Sequence, residues 1–132
     1  ELYDRAGARS EHDTAAMLEL AAASRLHWSH AGTWLEVERA DYGLALCHLA
    51  AGRADDALAH AERCARACNE HGAPPYEHFH AHEALARVHR ARGDEPALLA
   101  HIAGAERAFE ALAPEDRPAC AATVEAVRAL AR

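Results

Sequence analysis

Lysine is absent from this chain, and all 14 basic residues are Arg. Against 21 acids they leave a formal charge of −7. No basic stripe of the kind that tracks a phosphate backbone is present, so nucleic acid is not an expected partner. Long apolar runs are missing as well. The longest span only a few residues, too short to cross a bilayer, and no membrane association is expected. β-Branched residues are scarce, with Ile102 the only Ile, while just five Pro and seven Gly interrupt a chain rich in Ala. Ala favours helix and the strand formers are thin, so the expected fold class is all-α. Residue 1 is Glu and no basic-then-apolar leader follows it. The reading is therefore a single domain, 1–132, belonging to a longer cytoplasmic protein.

Catalytic apparatus is equally thin. Ser10, Ser24 and Ser29 lie in no nucleophile elbow, no Gly-rich phosphate loop occurs, and no acidic pair stands apart from ordinary helix-surface charge. The expectation is a non-enzymatic protein with no cofactor. Four Cys are present, Cys47, Cys64, Cys68 and Cys120, and none forms a C-x-x-C pair. A helical core of this size needs no disulfide staples. They read as reduced thiols, with Cys64 and Cys68 serving as small apolar filler.

What the chain does have is a repeat. Residues 40–68 and 81–109 match at 11 of 29 positions with a period of 41. Five matches are Ala on Ala. The other six are Leu44/Leu85, His48/His89, Gly52/Gly93, Leu58/Leu99, His60/His101 and Arg66/Arg107. Fixed-period self-similarity marks stacked helical hairpins. Gly32, Gly52, Gly72, Gly93 and then Pro114 punctuate the chain at even steps, which predicts six helices separated by short turns. Ser10 and Thr33 are expected N-caps, the latter in the capping box Thr33-Trp34-Leu35-Glu36. Asp94 caps the fifth helix, and Pro75 and Pro96 sit in first turns. The second helix is apolar nearly all round and is expected to be the most buried. The first also fits the frame, with Ala16, Met17 and Arg25 opposite Ala57, Leu58 and Arg66. The last carries Cys120, Val124, Val127 and Leu130 on one face and serves as a polar-backed cap. Leu44 and Leu85 should be buried between the helices of their own hairpins.

With Leu44 and Leu85 followed by Ala45 and Ala86, and with turns at Gly52 and Gly93, the chain resembles the tetratricopeptide repeat family. Ala57, Ala61 and Cys64, and then Leu98, Ile102 and Ala105, stand where that family's second helix carries its small and bulky packing residues. His48 and His89 take the usual aromatic place, and Asp41 and His82 the usual large apolar one. The 41-residue period is similar to the long-period repeats in helical arms of bacterial signalling regulators. The resemblance implies a right-handed superhelical stack of antiparallel hairpins whose first helices line a concave groove. It also implies a scaffold that binds a protein or peptide.

On that frame the groove residues are Arg39, Tyr42, Leu46 and Leu49 on the second helix and His80, Glu83, Arg87 and Arg90 on the fourth. Spacings of three and four keep each set on one face. An apolar half beside an Arg-rich half suits a peptide with an apolar anchor next to an acidic group. Alternatively Arg87 and Arg90 form a solvated face paired to Glu83, or the same patch closes a homodimer. Eleven His support a second reading, a transition-metal or small-molecule-sensing module. Its candidate ligands are His78 and His82, one helical turn apart, with Asp41 or His71 as a third. His48 and His89 recur at a packing position and read as structural, while His60 and His101 should face outward.

Overall fold

The computed structural model describes residues 11–132, without the side chains of residues 11, 12 and 28–31. The 1–9 lead-in, the expected Ser10 cap and the side chain of Trp28 lie outside the described residues. Six helices follow in order: α1 (Glu11–Ala31), α2 (Trp34–Ala50), α3 (Ala54–His71), α4 (Pro75–Arg92), α5 (Glu95–Ala111) and α6 (Arg117–Ala129). No strand occurs among the described residues.

The helix ends follow from local chemistry. Gly52, Gly72 and Gly93 have φ of 76°, 57° and 74°, left-handed values that a side chain would strain. α1 ends at Gly32 in a bend. The direction of restart is set instead by Thr33, whose backbone N–H donates to the Glu36 carboxylate at 3.1 Å, as the capping box predicts. Asp94 accepts from the Ala97 N–H at 3.2 Å at the start of α5. Pro75, Pro96 and Pro118 all occupy first turns, where no intrahelical donor is lost.

Each helix packs on the next. Beyond that, α2 touches α4 and α4 touches α6, whereas among the described residues α1, α3 and α5 do not touch one another. One layer of the fold is therefore α2, α4 and α6. The other is made of helices that meet only through the first.

Alternate layers explain the burial. It is α4, not α2, that is most enclosed, because it alone has a neighbour on both sides in its layer and α3 and α5 behind it. Phe79 and Ala86 on α4 join Leu98 and Ile102 of α5 and Val124 and Val127 of α6 in one core. Leu85 and Val88 turn the other way, onto Ala45 of α2 and Ala57 and Ala61 of α3. Leu85 is thus buried as expected, at 5% exposure, but against the preceding hairpin and not within its own. Leu44 is buried too and lines a cavity with Leu18, Ala22 and Leu26 of α1. Among the described side chains of α1, Met17 is buried, while Leu20 and Leu26 are 63% and 60% exposed. The reason is that α1 packs on a single helix, α2. The face of α6 carrying Cys120, Val124 and Val127 is buried as its pattern indicates.

Gly104 is needed for a close approach. A Cβ there would meet the His82 ring at 2.4 Å. On a solvent-facing helix position Gly→Ala stabilises by about 1 kcal/mol. Here Gly104→Ala should destabilise instead, and should recover its favourable sign in a His82→Ala background, as denaturant melts of the four-member cycle will measure. Leu85→Ala should cost about 2–5 kcal/mol in the same assay.

Candidate functional site

The groove residues were read from two helices 41 residues apart, and the structure lays those helices side by side. Arg39 of α2 reaches Glu77 of α4 with a forked contact, Nε to Oε1 at 3.1 Å and Nη2 to Oε2 at 2.7 Å. Tyr42 donates its hydroxyl to Glu83 Oε1 at 2.7 Å. His80 Nδ1 lies 2.8 Å from the same oxygen, and Arg87 Nε donates to Glu83 Oε2 at 3.0 Å. Glu83 is buried yet fully answered. Burial alone would push its carboxyl up; the His80 and Tyr42 hydrogen bonds and the Arg87 charge outweigh that and hold it below the ordinary range. Glu77 behaves likewise, its desolvation overcome chiefly by the Arg39 and Glu38 contacts. Arg39 is held correspondingly more basic, first by Glu77.

These groups enclose a cavity of about 340 Å³ lined by Glu38, Arg39, Tyr42, Tyr76, Glu77 and His80. Its walls are aromatic. The His80 ring stands edge-on to Tyr42 at 5.3 Å and to Tyr76 at 4.8 Å. Of the eight groove residues, Arg39, Tyr42 and His80 line this cavity, and Glu83 and Arg87 brace it. Leu49 packs on the core beneath, and Leu46 is half-buried. Arg90 belongs elsewhere, lining a separate cavity of about 240 Å³ with His89, Leu98, Leu99 and Leu130. Sequence reasoning missed Tyr76, Glu77 and Glu38. Tyr76 and Glu77 fall in the first turn of α4, before the stretch where the repeat matches begin.

The histidines resolve differently. His60 and His101 do not face outward but turn back onto the first helices. His60 stacks on His48 with centroids 5.3 Å apart and planes 7° apart, and His101 stacks on His89 at 5.6 Å and 2°. Each pair meets a third residue at the repeat-equivalent position. Asp41 Oδ1 accepts from His60 Nδ1 at 2.9 Å and from Arg25 Nε at 2.7 Å, while His82 Nδ1 meets His101 Nδ1 at 3.0 Å. Asp41 and His71 are therefore not third ligands to His78 and His82: Asp41 is held by Arg25 and His60, and His71 stacks on Trp34. Among the described residues the only three-donor group is Glu38, Cys64 and Cys68. Cys64 and Cys68 are fully buried, and Cys64 Sγ donates to Glu38 Oε1 at 2.9 Å.

No protein-family model, no curated protein and no solved structure matches the chain.

His82 carries the pH dependence of this region. Burial, then the neighbouring His101, Arg107 and His78, lower it from 6.5 to about 4. His48 and His101 are lowered too, both chiefly by burial. Between about pH 6.5 and 4 the unfolded chain takes up protons here that the folded chain refuses, so this contribution to stability is present above pH 6.5 and lost as pH falls. Discounted for partial exposure, His82 accounts for about 2–3 kcal/mol of that loss. His82→Asp reproduces the Asp41 arrangement of the first hairpin. The loss on acidification should shrink or reverse in that variant, as urea midpoints across the window will read.

Proposed function

We propose that this chain is a non-enzymatic helical-repeat scaffold, akin to the tetratricopeptide repeats. Its hairpins would stack with a right-handed superhelical sense, and it would bind a protein or peptide segment along the face of α2, α4 and α6. The observation that carries this reading is the cavity between α2 and α4, walled by Tyr42, Tyr76 and His80. The layering supports it as well. A stack in which α2, α4 and α6 touch while the other helices stay apart curves with that layer inside, and an inner face is where solenoids take ligands.

The partner chemistry differs from a simple acid trap. Arg39 and Arg87 are already paired with Glu77 and Glu83. An incoming carboxylate gains little from a guanidinium it must share. Arg39 remains 56% exposed and can take a second acceptor at the rim. The anchor is therefore an aromatic or aliphatic side chain entering between the rings, with an acidic group beside it in second place. Such anchors dominate the energetics of helical grooves.

Selection from a displayed random-peptide library tests this. Enriched peptides should share a bulky apolar residue. Tyr42→Ala, checked for helicity by circular dichroism, should weaken them by about ten-fold or more, equivalent to ~1.4 kcal/mol. Arg39→Ala should act less strongly and mainly at low salt. An absence of enrichment, together with a Tyr42-dependent dimer in size-exclusion chromatography, would assign the face to self-association instead.

A further inference from the structure

The 41-residue frame extends to a position the repeat identities do not reach. Glu38 stands where the second hairpin has Phe79, Cys64 where it has Ala105, and Cys68 where it has Phe109. In the second hairpin that slot is a conventional core. Phe79 and Ala105 are fully buried, and the Phe79 and Phe109 rings lie 6.1 Å apart. The chain thus contains its own demonstration that the slot can be filled by apolar side chains. In the first hairpin it is filled by a carboxylate and two thiols. Their donor atoms lie within 4.8 Å of one another, and all three residues are buried.

Filling a core slot with an acid is expensive unless its oxygens are satisfied. Glu38 is 1% exposed, and Cys64 Sγ donates to its Oε1, while the Glu77 carboxylate lies beside it. Its Oε2 accepts no donor in this structure, and the neighbour it has, Glu77, is another acid already taken by Arg39. Cys64 and Cys68 are one helical turn apart on α3 and face it together. Two sulfurs and a carboxylate oxygen are the donor set of a soft-to-borderline cation. A tetrahedral zinc centre would hold such donors about 3.4–3.8 Å apart, so the site closes with small side-chain adjustments.

We propose that Glu38, Cys64 and Cys68 form a binding site for a thiophilic divalent cation, with zinc(II) as the first candidate. Cys64 and Cys68 bind as thiolates and Glu38 as a carboxylate; each ion that enters displaces the two thiol protons and any proton held on the Glu38 carboxyl. Glu38 also lines the 340 Å³ cavity, so a water from that side would complete the fourth position. Glu77 does not occupy it, since both its oxygens are engaged by Arg39. The site is distinct from the His78/His82 pair, and it stands whether or not the groove binds a peptide.

Cobalt(II) is the probe. The reduced, chelator-stripped chain should bind one cobalt ion with the intense visible bands of tetrahedral coordination and a near-ultraviolet thiolate charge-transfer band, and zinc should displace it. Cys64→Ala, which copies Ala105 of the second hairpin, and Cys68→Ser should each lower that band and weaken binding by more than the about 10–100-fold typical of an outer-shell loss. Glu38→Gln should weaken binding while keeping the charge-transfer band. The double substitution His78→Ala/His82→Ala should change neither. Cadmium-113 bound to the unsubstituted chain gives a reading that needs no variant, a resonance in the range of two-sulfur sites. Cobalt spectra without a thiolate band, a cadmium resonance typical of oxygen and nitrogen ligands alone, or binding that survives loss of both Cys would overturn the proposal. In that case Glu38 is a protonated filler hydrogen-bonded to a thiol.

Discussion

A carboxylate enclosed between two helices must be hydrogen-bonded from several sides or give up its charge. Glu83 meets that condition with donors from two helices, Tyr42 from α2 and His80 and Arg87 from α4. The contact between α2 and α4 depends on it. The apolar material there is mostly Ala, which packs closely but supplies little buried area. Orientation comes from the polar groups, because a hydroxyl-to-carboxylate bond of 2.7 Å tolerates neither a sliding of one helix along the other nor a rotation. Arg39 and Glu77 add a second point of attachment one turn away. Two such points fix both register and rotation, and the aromatic cavity lies between them.

The same economy of apolar bulk explains the histidines. Where its hairpins could carry large apolar and aromatic side chains, the chain carries Asp41 with His48 and His60, and then His82 with His89 and His101. Flat rings stacked at 5.3–5.6 Å fill the space that an aromatic would occupy. The two triads differ in their third member, and that difference has a cost. Asp41 gives His60 an acceptor and draws Arg25 across from α1. His82 can only share one proton with His101, and its ring crowds α5 so closely that the facing residue is Gly104. The second hairpin accepts a glycine inside a helix to keep an imidazole there.

Much of this architecture was legible in the sequence, for identifiable reasons. Helix boundaries were readable because left-handed glycines and first-turn prolines are backbone requirements independent of tertiary contacts, as at Gly52, Gly93 and Pro96. The adjacency of α2 and α4 was readable because a repeat brings equivalent helices together. The pairings were not. Periodicity assigns a residue to a face of its own helix, and it leaves open the axial register that decides whether Arg39 finds Glu77 or water. It also cannot tell inward from outward on an outer-layer helix whose partner is polar, which is why His60 and His101 turned in when polarity suggested solvent. Burial rank failed similarly, since α4 is the most enclosed helix by position in the stack and not by composition.

Those same limits bear on Cys64 and Cys68. On composition alone a buried Cys is a small hydrophobe, and both positions lie on the packing face of α3. The repeat changes that reading only when it is carried past the matched residues to Glu38, because what matters is a mismatch: the fold places Phe79 where this hairpin places an acid. A departure from an internal template is more informative than a match to it. Matches such as Leu44/Leu85 report what any hairpin of this kind must bury. A Glu in a phenylalanine slot, with one oxygen unanswered and two thiols facing it, needs a reason outside packing. The departures cluster on the wall that the core shares with the aromatic cavity. The carboxylate that packing cannot explain and the rings available to a ligand are therefore parts of one continuous surface between α2 and α4.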